Sequence, residues 1–137
     1  MSDSAKAPED CIHLLLVDDE ENYVNVLANR LGKRGMDVTK AYCGTDALQA
    51  VRSSDFDVVV LDLKMEDMDG LEVLQVLKQL DKSMEVIMLT GHGSQAAARA
   101  GLEYGAFDYL TKPCELDELL EKIREAHANR KNRQKGQ

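Results

Sequence analysis

Apolar residues fall along this chain in two kinds of run. Short blocks without polar alternation, "CIHLLLV", "VVVL" and "MEVIML", suit strands covered on both faces. Two weaker blocks, "MDVTKAY" and "AFDYLTKP", complete a set of five, the last stopped by a proline. Between the blocks, apolar positions recur at three- and four-residue spacing. "EENYVNVLANRLGKRG" sets Tyr23, Val24, Leu27 and Leu31 on one helical face and closes at Gly35. "GLEVLQVLKQL" sets Leu71, Leu74, Leu77 and Leu80 in helical register, and "ELDELLEKIREAHANR" turns Leu116, Leu119, Leu120 and Ile123 inward. "GTDALQAVRSS" and the Ala-rich "SQAAARAGLEYG" are shorter helices. Five strands therefore alternate with five helices, which predicts an α/β fold with a parallel sheet and helices on both faces.

In open sheets of this kind the binding crevice lies beyond the carboxyl ends of the strands, where the strand order reverses. That rule gathers the polar residues that end the apolar blocks: Asp18 and Asp19 after the first, Asp62 after the third, Thr90 after the fourth and Lys112 after the fifth. Each has an ordinary explanation when taken alone. The two leading aspartates could cap the next helix, Asp62 could form a turn, Thr90 and Lys112 could face water, and Tyr109 could be a core aromatic. Together they are harder to dismiss. Three carboxylates at about 4 to 6 Å repel by roughly 1 kcal/mol per pair in water and about 4 kcal/mol at an effective dielectric near 20, so a cation is expected. All-oxygen ligands without histidine or thiolate favour a hard ion, and Mg2+ suits a shallow site that leaves room for a phosphoryl oxygen. Lys112 adds a fixed positive charge and Thr90 a hydroxyl, while Gly91 leaves space for a ligand. These are the parts that phosphoryl transfer requires, with Asp62 as the nucleophile.

Composition narrows the classes. At 137 residues the chain is one domain by the usual prior. No apolar run approaches the roughly 18 residues of a membrane span, and "MSDSAKAPED" has no signal-peptide core, so a disordered lead over 1–10 and a cytoplasmic location are expected. Three unpaired, widely spaced cysteines fit a reducing compartment. The net charge of −8 disfavours nonspecific nucleic-acid binding. The last eleven residues nevertheless carry four of the 17 bases and none of the 25 acids, which predicts a solvated basic tail or linker over 128–137, with His127 at its start.

"LLLVDDEEN", "VVVLDLKMEDMDGLEVL", "VIMLTGHG" and "GAFDYLTKP" together resemble, in order and spacing, the receiver domain of two-component response regulators, from about Ile12 to Ile123. The resemblance implies a flavodoxin-like, doubly wound sheet of order 2-1-3-4-5, a receiver unit over 11–127 and a signalling phosphoacceptor rather than an enzyme, one that assists its own phosphorylation and dephosphorylation. It implies that Asp62 takes phosphate from the phosphohistidine of a sensor histidine kinase or from a phosphotransfer protein. Asp18, Asp19, Asp62 and the backbone carbonyl of Lys64 would hold Mg2+, Thr90 and Lys112 would bind phosphoryl oxygens, and Tyr109 would be the switch aromatic. The Lys112–Pro113 peptide would be cis. Phosphorylation would switch the surface of the fourth helix, fifth strand and fifth helix and support a homodimer; nucleic acid would be reached only through an output domain absent from this chain. "LTGHGS" with "GAFDYLTKP" further resembles receivers of nitrogen-regulatory-type activators.

The chain departs from the family at Glu66, where proline is frequent, and at Cys114, where an aromatic is frequent. Lys64 and His92 occupy positions that modulate phosphate lifetime in the family. Glu66, Asp67 and Asp69 are expected as a solvated acidic loop, His13 as a satisfied core or edge residue and Cys114 as unreactive for want of a base. Two other classes share parts of this pattern. A flavodoxin-like cofactor binder needs a phosphate loop that "DDEEN" would repel, and an aspartate phosphohydrolase usually has an acid where Lys64 stands.

Overall fold

The computed structural model describes residues 11–91 and 95–135, with side chains to residue 133. In chain order the elements are β1 His13–Val17, α1 Glu21–Lys33, β2 Asp37–Ala41, α2 Gly44–Ser53, β3 Val58–Leu61, α3 Gly70–Leu80, β4 Glu85–Thr90, α4 Gln95–Glu103, β5 Asp108–Thr111 and α5 Leu116–Lys135. All neighbouring strands pair in parallel, in the order β2-β1-β3-β4-β5. This is the flavodoxin-like doubly wound sheet expected from the sequence.

The continuous apolar blocks become the three central strands because both sheet faces are covered. Leu14, Leu16, Val58, Val60, Ile87 and Leu89 pack against Val24, Leu27 and Leu31 of α1 and Leu119, Leu120 and Ile123 of α5. The alternate residues Leu15, Val17, Val59, Leu61, Val86 and Met88 pack against Ala47 of α2 and Val73, Leu74 and Leu77 of α3. Strand period two thus divides one run of side chains between two layers. The chain crosses one way from β1 to β2 and the other way from β3 to β4, so the order reverses between β1 and β3. Val17 pairs with Leu61 at the end of both strands, which brings Asp18 and Asp62 level at that reversal.

Two expectations are corrected. In α3 the buried face is Val73, Leu74 and Leu77, whereas Leu80 is 44% exposed. Leucines spaced by three slip about 60° per step around a helix with 3.6 residues per turn, so Leu71 and Leu80 end on opposite sides. The basic tail is not simply solvated: α5 runs unbroken past residue 127 to Lys135. Arg130 Nη1 lies 3.0 Å from Asp57 Oδ1, and Asn129 donates to Glu85, a carboxylate with 0% exposure at the start of β4. His127 lies 3.9 Å from Asp57. The acids ahead of β3 and β4 draw this basic helical stretch onto the N-terminal end of the sheet. His13, expected as a satisfied core or edge residue, is exposed at the start of the interior strand β1, with Nδ1 3.0 Å from Asp37 Oδ2. The expectations for residues 1–10 and for His92 fall outside the described residues.

Candidate functional site

The carboxyl ends of the strands carry a cluster of charge. Asp18 is 2% and Asp62 7% exposed, while Asp19 faces solvent. Ligand oxygens from Asp18, Asp19 and Asp62 lie within 4.8 Å of one another. Lys112 arrives from the end of β5, its Nζ 2.6 Å from Asp18 Oδ2 and 3.6 Å from Asp62 Oδ2. Although burial opposes its charge, the hydrogen bond to Asp18 and the charge of Asp62 raise the Lys112 pKa, so it is a fixed cation. Burial acts in the other sense on Asp62. With Asp18 beside it, its pKa is pushed up to about 6, against the pull of the Lys64 N–H and of Lys112.

Of the residues expected from the sequence, Asp18, Asp19 and Asp62 are thus in mutual reach, and Lys112 reaches Asp18 and Asp62. Thr90 is 3% exposed and ends β4, the strand next to β3, paired with Thr111. Lys64 turns its side chain to solvent, and its backbone N–H donates to Asp62 Oδ1 at 3.2 Å. Tyr109 pairs with Met88 and is partly buried in the layer that holds Leu63 and Val73. The Lys112–Pro113 peptide is cis, as expected. Burial and the charges of Glu118 and Glu115 push the Cys114 thiol up, which keeps it protonated.

Two contacts escaped the sequence. Glu20 Oε1 lies 3.6 Å from Lys112 Nζ, and the same ammonium sits 4.8 Å from the centroid of the Tyr23 ring, a cation-π contact. The spacing of Tyr23, four residues after Asp19 in the first turn of α1, was the available signal. The acidic loop is solvated as expected, with Glu66, Asp67 and Asp69 all exposed, but two of its acids also hold helix starts. Asp69 caps α3 by accepting from Leu71 N at 3.0 Å. Asp67 accepts from Gly44 N at 2.9 Å and Thr45 N at 3.0 Å, at the start of α2.

Asp18, Asp19, Glu20 and Asp62 against one ammonium leave an excess of negative charge. Together with the displaced Asp62 pKa and the all-oxygen donor set, this fits a hard divalent cation such as Mg2+. A cluster that binds such an ion and keeps a lysine alongside can neutralise a phosphoryl group next to a carboxylate nucleophile.

The family model described as the response regulator receiver domain matches residues 14–124. Among similar curated proteins, the uncharacterized transcriptional regulatory protein YkoG of Bacillus subtilis is 41% identical over 114 residues, covering 83% of this chain and 50% of its own. The transcriptional regulatory protein GlrR of Escherichia coli is 38% identical over 114 residues, 83% of this chain and 26% of its own. The chain therefore spans half or less of these relatives. Among solved structures, a CheY-like receiver domain protein from Methanospirillum hungatei superposes with a TM-score of 0.86 at 29% identity, covering 90% of this chain and 98% of that one. NtrX from Brucella abortus gives 0.86 at 28% identity, covering 91% of this chain and 28% of its own.

Proposed function

The chain belongs to the response regulator receiver family, and from that premise we propose that it is a phosphoacceptor in which Asp62 takes a phosphoryl group from the phosphohistidine of a kinase or phosphotransfer protein. The observation that carries this is the meeting of Asp18, Asp19 and Asp62 within 4.8 Å, with the Lys112 ammonium among them. An Asp62 oxygen attacks phosphorus, the P–N bond breaks as the P–O bond forms, and the imidazole leaves with its proton. With a pKa of about 6 even without a cation, the Asp62 carboxyl is mostly ionised at pH 7 and available for attack. Lys112 and Thr90 hold phosphoryl oxygens. Asp18, Asp19, Asp62 and the Lys64 carbonyl hold Mg2+, which when bound supplies charge neutralisation at the phosphoryl oxygens. The same groups assist hydrolysis of the acyl phosphate by water.

Thr90 and Tyr109 act as the switch in this reading. The phosphoryl group draws the Thr90 hydroxyl inward, and the Tyr109 ring, already partly buried, moves deeper and shifts the surface of α4, β5 and α5. A homodimer or partner contact then forms on that surface. The receiver unit runs from residue 11 through α5, past the end expected at 127; the family match falls within it, and contact with nucleic acid belongs to the extra length that the relatives carry. Among the described residues no helix is long and apolar enough to cross a membrane, which accords with action in the cytoplasm.

Incubation with acetyl phosphate and Mg2+ is expected to add the mass of one phosphate, acid-stable and base-labile, to the wild type and none to Asp62→Asn. Equal labelling of Asp62→Asn, or labelling that survives EDTA, overturns the assignment.

A further inference from the structure

The geometry points to Asp67 as a positioning residue for the cation site: it anchors the loop after Asp62 to the start of α2 and so fixes where the Lys64 carbonyl stands. This rests on the phosphoacceptor reading and deepens it.

The loop runs from Leu63 to Gly70 and contains no proline, so no ring restrains its φ angles. At its far end it is pinned: Gly70 N donates to Leu63 O at 3.1 Å, and a Cβ on Gly70 would meet the Leu63 backbone at 2.4 Å. At its near end Lys64 N donates to Asp62 Oδ1 at 3.2 Å. Between these points the hydrogen-bonded anchor is Asp67. Its two carboxylate oxygens take Gly44 N, Thr45 N and the Thr45 hydroxyl, at 2.9, 3.0 and 3.1 Å. The hydrogen bonds from Gly44 and Thr45 hold its pKa below the usual carboxylate range.

The other partner needs this bond too. Cys43, at the N-cap of α2, makes no side-chain cap hydrogen bond, so the free N–H groups of that helix are met from another element. Gly44 also admits the loop closely, since a Cβ there would meet Met68 Sδ at 2.9 Å. Helix α2 follows β2, and in the sheet β1 lies between β2 and β3. A loop that leaves β3 and is tied to the start of α2 therefore spans the end of β1, where Asp18 and Asp19 stand. The tie holds the loop on the side of the carboxylates and away from β4, where Thr90 ends its strand.

The test separates placement of the loop from stability of the helix. Mg2+ is titrated calorimetrically into the full-length wild type, Asp67→Ala and the double variant Cys43→Ser/Asp67→Ala, in which serine gives α2 its own cap. Asp67→Ala is expected to bind Mg2+ about tenfold more weakly, in the range for loss of a group that orients a metal ligand. The double variant is expected to recover melting temperature but to stay about tenfold weaker for Mg2+. If Asp67→Ala binds as tightly as wild type, or if the added cap alone restores affinity, the inference is overturned and the phosphoacceptor reading stands. A wild type that takes up no Mg2+ overturns both.

Discussion

Asp62 is ionised at a position that resists ionisation, and this makes stability depend on pH in a direction opposite to that of a paired carboxylate. Its pKa in the folded, cation-free chain is about 6, whereas an aspartate in an unfolded chain titrates near about 3.9. Above pH 6 both states are charged and the fold bears the whole penalty. As the pH falls through 6 the folded chain gains a proton that the unfolded chain does not yet bind, so this contribution to stability rises until about pH 4. Asp62→Asn lacks the term. In EDTA its melting temperature should exceed that of wild type at pH 7.5, and the gap should narrow below pH 6 and nearly close by about pH 4; a gap constant across that range contradicts the assignment. Asp18, Asp19, Asp62 and Lys112 were legible in the sequence because each ends an apolar block, and parallel strands put their ends together. Asp67 was not. Its partners are backbone N–H groups more than twenty positions earlier, which every residue type possesses.

Helix α5 was legible as far as its apolar stripe. Beyond Ala126 the chain offers no large apolar residue to mark a face, so the sequence reads as solvated although the structure engages it. What holds these turns is charge, and the acids involved sit far away in sequence, at Asp57, Asp81 and Glu85. Glu85 is the sensitive member. It is fully buried, accepts from Asn129, and has Arg133 Nε at 3.6 Å and Lys78 Nζ at 4.0 Å. Burial pulls the Lys78 pKa down against the charge of Glu85, so the lysine supports it at its own cost. Asn129→Ala removes a hydrogen bond to a buried carboxylate and should lower unfolding free energy by about 1 to 3 kcal/mol in urea. Lys131→Ala, in the same turn but exposed, should stay within about 0.5 kcal/mol. Equal midpoints for the two variants would mean that Asn129 does not support Glu85.

For the whole molecule, the order of elements was readable because period-two and period-3.6 runs alternate without ambiguity, while the strand order came from the family likeness and not from periodicity. Helix α4 is lightly anchored: its buried residues are Ala98 and Gly101, and a Cβ on Gly101 would collide with Met88 Sδ. On the proposed reading it moves most readily. Beryllofluoride with Mg2+ should change amide exchange in α4 and β5 of the wild type and leave Thr90→Ala, once loaded, largely unresponsive; an unaltered α4 in wild type removes the switch from the proposal. Helix α5, by contrast, is held along its length: Leu119, Leu120, Ile123 and Ala126 are buried in the core, and beyond them Arg130 and Arg133 reach Asp57, Asp81 and Glu85. From Leu116 to Arg130 is about 21 Å and from Arg130 to Lys135 about 7.5 Å, at 1.5 Å per residue. The apolar stripe and the charged clamp thus lie end to end on one rod, so α5 is a splint rather than a hinge, and its last turns keep their direction against the sheet when side chains rearrange near Leu116.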